Sequence, residues 1–299
     1  MAVGFVRGVD HPPAAPVPPR LLPGRMVLLP GRGEVFVRDS GPRDDGAPTL
    51  LLLHGWTVSA DLNFFAVYET LAESYRVVAL DHRGHGRGMR SNQPFSLEDC
   101  ADDAAALLSE LGVPRGGAIA LGYSMGGPIA LLLARRHPGV VAALVFQAAA
   151  LEWRATLADR SKWRFLSVAE VGLRISSGDG VVERIIEQAV QVSPELEPIR
   201  PWLEAEIQRG LGRSLIDAGR ALSLFDSRPW AGEIGVPAVV CVTLRDRLVP
   251  PAKQRALARA LRAEVLEIDG DHDVTLVDGA SYAAVTRKAV DLMAAPLSR

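Results

Sequence analysis

Apolar, mostly unbroken runs recur along the chain: MVLL from residue 26, EVFVRD from 34, TLLLL from 49, RVVAL from 76, AIAL from 118, VVAALVF from 140, PAVVCVTL from 237 and EVLEI from 264. Runs that are apolar at successive rather than alternate positions are strands buried on both faces. Between them, apolar positions recur at helical spacing and predict helices at roughly 61–73, 97–111, 125–137, 252–262 and 280–294. This alternation defines an α/β fold, a mostly parallel sheet covered by helices on both faces. MVLL and EVFVRD, joined by PGRG, read as a hairpin that opens the sheet. From about 151 to 230 the strand signals stop, and amphipathic helices punctuated by glycine and proline replace them.

The chain thus divides into a proline-rich arm (1–25), the first part of the core (26–150), a helical insertion (151–230) and the second part of the core (231–299). Six prolines between Pro12 and Pro23 keep the arm extended. With 299 residues, 48% of them hydrophobic, one large core with an insertion is the economical organisation. A formal net charge of -2 gives no reason to expect nucleic acid or an anionic membrane as partner, since both attract clustered Lys and Arg. Two cysteines, Cys100 in a predicted helix and Cys241 in a predicted strand, make no disulfide framework, and both read as packing. The first residues lack the apolar core and cleavage site of a secretory signal, and no apolar stretch is long enough to cross a bilayer. The expected location is the cytoplasm.

One stretch changes the picture from fold to chemistry. In ALGYSMGGPIALL, residues 120–132, Gly122-Tyr123-Ser124-Met125-Gly126 forms a G-x-S-x-G between an apolar strand and a helix. A turn that sharp strains the serine backbone and leaves no room for side chains two residues to either side, so glycine at 122 and 126 lets Ser124 stand at the strand tip. A serine hydroxyl needs a base to take its proton, and the base needs an acid to fix its tautomer. Asp246 follows the strand AVVCVTL and is the expected acid. His272 follows EVLEI and is the expected base. Asp269, Asp271 and Asp273 flank the histidine too closely to come from the neighbouring strand and read as turn residues. The oxyanion of an acyl transfer needs two backbone N–H groups, assigned to Met125 and to Trp56 in LLLLHGWT, where Gly55 permits a tight turn. His54 in the same stretch is read as structural, holding the loop by hydrogen bonds. No His and carboxylate cluster stands at metal-ligand spacing, and no metal or cofactor is expected.

HGW, LDHRGHGRG, GYSMGG, RDRLVP and GDH, in this order and spacing, resemble the α/β-hydrolase superfamily, in its branch of lidded serine esterases and lactonases. The resemblance covers residues from about 26 to 294. It implies an eight-stranded sheet, the order Ser124, Asp246, His272 for nucleophile, acid and base, and a lid formed by the insertion. Asp81 to Gly86 match a loop that braces the fold near the site. Gly88 stands where relatives often have serine, an exchange expected to loosen that loop. Serine at the elbow, rather than aspartate, argues against epoxide hydrolase and haloalkane dehalogenase chemistry.

The expected activity is hydrolysis of a small or medium apolar carboxylic ester or lactone through an acyl-enzyme on Ser124. The same triad would also serve a carbon–carbon bond hydrolase or a cofactor-free haloperoxidase-like enzyme, and a ligand-binding receptor module on the same fold is the alternative of another class. The insertion holds four of the five tryptophans, Trp153, Trp163, Trp202 and Trp230, together with Ile185 and Ile186. Trp56, Tyr123, Trp153 and Trp163 are the expected pocket residues.

Overall fold

The computed structural model describes residues 18–90, 94–154, 156, 159, 161, 163, 193–210 and 213–297, with the side chains of 195 and 213–216 excepted. Most of the proline-rich arm and most of the first half of the insertion, Ile185 and Ile186 included, lie outside the described residues.

The sheet has eight strands: β1 (Gly24–Leu29), β2 (Gly33–Asp39), β3 (Thr49–Leu53), β4 (Arg76–Leu80), β5 (Ala118–Tyr123), β6 (Val141–Gln147), β7 (Ala238–Thr243) and β8 (Glu264–Ile268). Their spatial order is β1-β2-β4-β3-β5-β6-β7-β8. β1 pairs antiparallel with β2, and β2 with β4, while every later pairing is parallel. Among the described residues the α-helices are α1 (Ala60–Ala72), α2 (Leu97–Glu110), α3 (Gly126–Arg136), α4 (Arg200–Gly210), α5 (Arg213–Leu224), α6 (Pro251–Leu261), the single turn α7 (Val274–Val277) and α8 (Gly279–Ala294).

The unbroken apolar runs divide their residues between two cores. In β3, Leu51 and Leu53 join α2, α3 and α6 on one face, whereas Leu50 and Leu52 join α1 and α8 on the other. This follows from the two-residue period of a strand, and it explains why the only polar residues of β3, β4 and β7 are Thr49, Arg76 and Thr243, each at a strand end. The run EVLEI departs from that expectation. β8 is an edge strand, with Glu264 and Val265 exposed, because β7 alone pairs with it.

Strand order also fixes where a site can form. From β3 the chain steps outward to β4, then returns across β3 to lay down β5, so β3 and β5 flank a switch point. Loops leaving the carboxyl ends of these two strands diverge to opposite faces and leave a crevice between them.

Candidate active site

At that crevice β5 ends in the G-x-S-x-G turn. Ser124 has φ of 51°, a left-handed conformation that costs a non-glycine residue of order 1 kcal/mol. Its N–H donates to the Gln147 carbonyl of β6 at 2.9 Å, and its own carbonyl accepts from Gly127 N–H at 2.9 Å, which hold the turn closed. The two glycines are needed for different reasons. A Cβ on Gly122 would lie 2.3 Å from the Gly126 carbonyl oxygen across the turn, as the spacing predicts. A Cβ on Gly126 would instead lie 1.8 Å from the carbonyl oxygen of Leu53, so it is the neighbouring strand that excludes a side chain there.

β7 and β8 deliver the other two groups. His272 Nδ1 lies 2.9 Å from Asp246 Oδ2, and His272 Nε2 lies 3.1 Å from Ser124 Oγ. Since Asp246 only accepts, Nδ1 carries the proton, Nε2 presents a lone pair and the serine hydroxyl donates to it. Asp246 is wholly buried as a side chain. Its Oδ1 accepts from Leu248 N–H at 2.9 Å and Val249 N–H at 2.7 Å, and its Oδ2 from the Thr243 hydroxyl at 2.8 Å. With His272 Nδ1–H and the Gln254 amide at 3.3 Å, five donors fix the direction of this carboxylate. Asp271 is a turn residue: its Oδ1 accepts from the backbone N–H of His272 at 2.8 Å and of Arg247 at 2.9 Å. Burial opposes its charge, but those bonds and the Arg247 guanidinium outweigh it and lower its pKa.

His54 does hold its loop. Its Nδ1–H donates to the Gly55 carbonyl at 2.7 Å and its Nε2 accepts from His82 N–H at 2.9 Å. Burial first, then the neighbouring rings of His82 and His85, push its pKa well below the ordinary value, which keeps it neutral. Asp81 braces the region by accepting from Ala60 N–H at the start of α1 and from Arg87 N–H, each at 2.7 Å. Gly88 tightens this loop rather than loosening it, because a Cβ there would lie 2.2 Å from the His82 carbonyl oxygen.

The remaining expected residues fall into two groups. Met125 is the residue before α3, and Trp56 follows Gly55, whose backbone packs against Ser124. A cavity of about 490 Å³ opens on Ser124 and His272, with Tyr123, Val58, Leu62, Leu248 and Leu276 among its walls. Trp56, Trp153 and Trp163 are not among its lining residues. They contact one another, Trp56 tilted on Trp163 at 5.6 Å and Trp163 edge-on to Trp153 at 6.4 Å between ring centroids.

Two contributors escaped the sequence reading, and Tyr123, expected as a pocket residue, has a further role. The Tyr123 hydroxyl donates to the His272 carbonyl at 2.7 Å and braces the loop that carries the base. Gln254 of α6 accepts from Thr243 N–H at 3.0 Å and donates to its hydroxyl at 2.7 Å, so it supports the acid from behind. Glu206 of α4, buried, accepts from the Ser59 hydroxyl at 2.9 Å and pairs with Arg87, fastening the insertion to the loop beside Gly55. Each depends on elements distant in sequence, and only Tyr123 carried a local signal, its place beside the nucleophile.

A serine, histidine and aspartate joined at the carboxyl edge of a mostly parallel eight-stranded sheet define the class as an α/β-hydrolase fold. Residues 48–181 match the family described as alpha/beta hydrolase fold. The matched stretch runs from β3 past β6 and includes Ser124, and the chain has the α/β-hydrolase fold. It is 39% identical over 105 residues to a bifunctional esterase/perhydrolase of Acinetobacter calcoaceticus, a match that spans 35% of this chain and only 37% of that protein. Similarity to a pimeloyl-[acyl-carrier protein] methyl ester esterase of Neisseria meningitidis is weaker but longer, 28% over 254 residues, 83% of this chain and 78% of that one. Among solved structures, an enol-lactonase of Burkholderia xenovorans LB400 matches with a TM-score of 0.75 at 22% identity, covering 90% of this chain and 99% of that one. Among the described residues no helix is long and apolar enough to cross a membrane.

Proposed function

We propose that the protein hydrolyses small or medium carboxylic esters or lactones through an acyl-enzyme on Ser124. The observation that carries this reading is the continuous relay from Asp246 through His272 to Ser124, at 2.9 and 3.1 Å, opening on the cavity. In the first half-reaction His272 Nε2 takes the hydroxyl proton as Ser124 Oγ attacks the carbonyl carbon, and the resulting imidazolium is stabilised by the Asp246 carboxylate. The oxyanion is received by the backbone N–H groups of Met125 and Trp56, the first of which sits at the positive end of α3. His272 then gives the proton to the leaving oxygen. In the second half-reaction water, deprotonated by the same nitrogen, attacks the acyl carbon and frees Ser124. The esterase and lactonase names of the relatives support acyl chemistry rather than the carbon–carbon alternative.

A panel of 4-nitrophenyl esters and simple lactones, run with the Ser124→Ala protein as control, tests the reading. Turnover by the wild-type protein alone is the expected result. Equal turnover by both proteins, or turnover of carbon–carbon substrates only, contradicts it.

A further inference from the structure

The cavity over Ser124 contains two polar side chains whose bonding capacity is unspent. Asn63, only 4% exposed, stands in the first turn of α1 and accepts from Gly55 N–H through Oδ1 at 2.8 Å. Because a backbone N–H can only donate, this bond sets the orientation of the carboxamide and turns Nδ2 to the other side. Nδ2 has no hydrogen-bond partner among the described residues, yet it is not one of the sealed, unpartnered atoms, as both ring nitrogens of His82 are. Thr275 of α7 repeats the pattern: it is 6% exposed, lines the same cavity, and its hydroxyl has no partner among the described residues. Leaving such a donor unmatched on burial costs about 1–3 kcal/mol, a cost that a bound acceptor removes.

Asn63 stands close to the nucleophile, and Thr275 lines the same cavity. A Cβ at position 55 would meet Ser124 Cβ at 3.4 Å and Asn63 Oδ1 at 3.5 Å, so nucleophile and carboxamide flank one point. The walls around them, Val58, Leu62 and Leu276, are apolar. At the rim Arg247 is paired with Asp271 at 2.5 Å, and Asp273 adds a further negative charge, so the mouth has no surplus cation to attract an anionic substrate.

We infer that the preferred substrate carries a second, neutral oxygen in its acyl or ring part, a few bonds from the scissile carbonyl, and that Asn63 Nδ2 and the Thr275 hydroxyl bind it. The inference rests on Ser124 being the acyl acceptor. A pocket built to hydrogen-bond an oxygen discriminates against the analogue that lacks it, because its own polar groups are then left unpaired.

4-Nitrophenyl methoxyacetate and 4-nitrophenyl butanoate have the same length and differ by an ether oxygen in place of a methylene. Their kcat/KM ratio, divided by the ratio of their hydroxide-catalysed rates to remove intrinsic reactivity, is measured for the wild type, Asn63→Asp and Thr275→Val. Asn63→Asp keeps an acceptor for Gly55 while removing the Nδ2 donor, and Thr275→Val keeps the shape while removing the hydroxyl. The wild-type ratio is expected to favour the ether, and to fall about tenfold in each variant. Should Asn63→Asp not fold, Thr275→Val carries the same test. A corrected ratio near one in the wild type, unchanged in the variants while butanoate is still hydrolysed, overturns the inference and leaves Ser124 as the nucleophile. Hydrolysis of neither ester by the wild type, with no labelling by a fluorophosphonate, brings down both.

Discussion

Gly126 shows how single positions secure the reactive geometry. Its missing side chain lets the carbonyl of Leu53 approach, so strand β3 and the nucleophile turn touch directly. Gly126→Ala would drive a methyl into backbone 1.8 Å away, with no flexible side chain to yield. The expected result is a loss of about 3 kcal/mol or more, read as a lower denaturant midpoint or as failure to fold. Midpoints equal to wild type would show that the turn can relax without cost. Asp246, the proposed acid, is held in another way. Its Oδ1 already serves the N–H groups of Leu248 and Val249, so in Asp246→Asn the amide nitrogen falls at the Oδ2 position, facing His272 Nδ1–H. Imidazole then adopts the tautomer with Nε2 protonated and cannot accept from Ser124. Loss of about 10⁴-fold in kcat with little change in KM is expected. If Asn at 246 is harmless while Asn at 271 is not, the acid has been wrongly assigned.

Helix α5 of the insertion rests on the loop after β3 through Gly219, where a Cβ would lie 2.6 Å from the indole ring of Trp56. Alanine in an exposed helix stabilises by about 1 kcal/mol over glycine, so the sign of Gly219→Ala is diagnostic. We expect destabilisation of about 1–3 kcal/mol in thermal unfolding, with a shift in tryptophan emission. A raised Tm would mean that Trp56 moves aside freely. The sequence told of elements unevenly. The runs that became β3, β4, β5, β6 and β7 were readable because burial on both faces leaves their interiors apolar, and the elbow because its strain is local. Asp246 and His272 could be found by their place after strands. The edge position of β8 was not read, although Glu264 and Glu267 interrupt its apolar run, and strand order is what exposes it. Nor was Glu206, 147 residues from the Ser59 hydroxyl it accepts from, or the reason for Gly88, which lies in the path of the His82 carbonyl.

Acid should unfold the molecule through three histidines rather than through its ion pairs. Burial lowers the pKa of His82 to about 3 and of His85 to about 4, and holds His54 well below its ordinary value. The unfolded chain protonates all three near pH 6.5, so between about pH 6.5 and 4 it binds protons that the native state refuses, and stability falls as pH falls. Asp81 works the other way. Burial raises its pKa to about 6, so below that pH the native state keeps a proton that the unfolded chain releases down to about 3.8. Three groups against one leave a net loss of about 3 kcal/mol per pH unit around pH 5. The ion-paired aspartates with lowered pKa, among them Asp39 and Asp102, titrate below this window. Both ring nitrogens of His82 are unpartnered, so His82→Phe removes one titrating group without breaking a side-chain hydrogen bond. Urea midpoints from pH 7 to 4.5 should fall less steeply in that variant, and parallel curves would assign the acid loss elsewhere.

On the proposed reading, the relay from Asp246 activates Ser124 as a nucleophile. Labelling with a fluorophosphonate, followed by peptide mass mapping, reads this directly. One adduct on Ser124 is predicted, absent from Ser124→Ala and slowed by about 10³-fold or more in His272→Ala. No adduct at all, or an adduct on another serine that persists in Ser124→Ala, would contradict the assignment of Ser124 as the nucleophile.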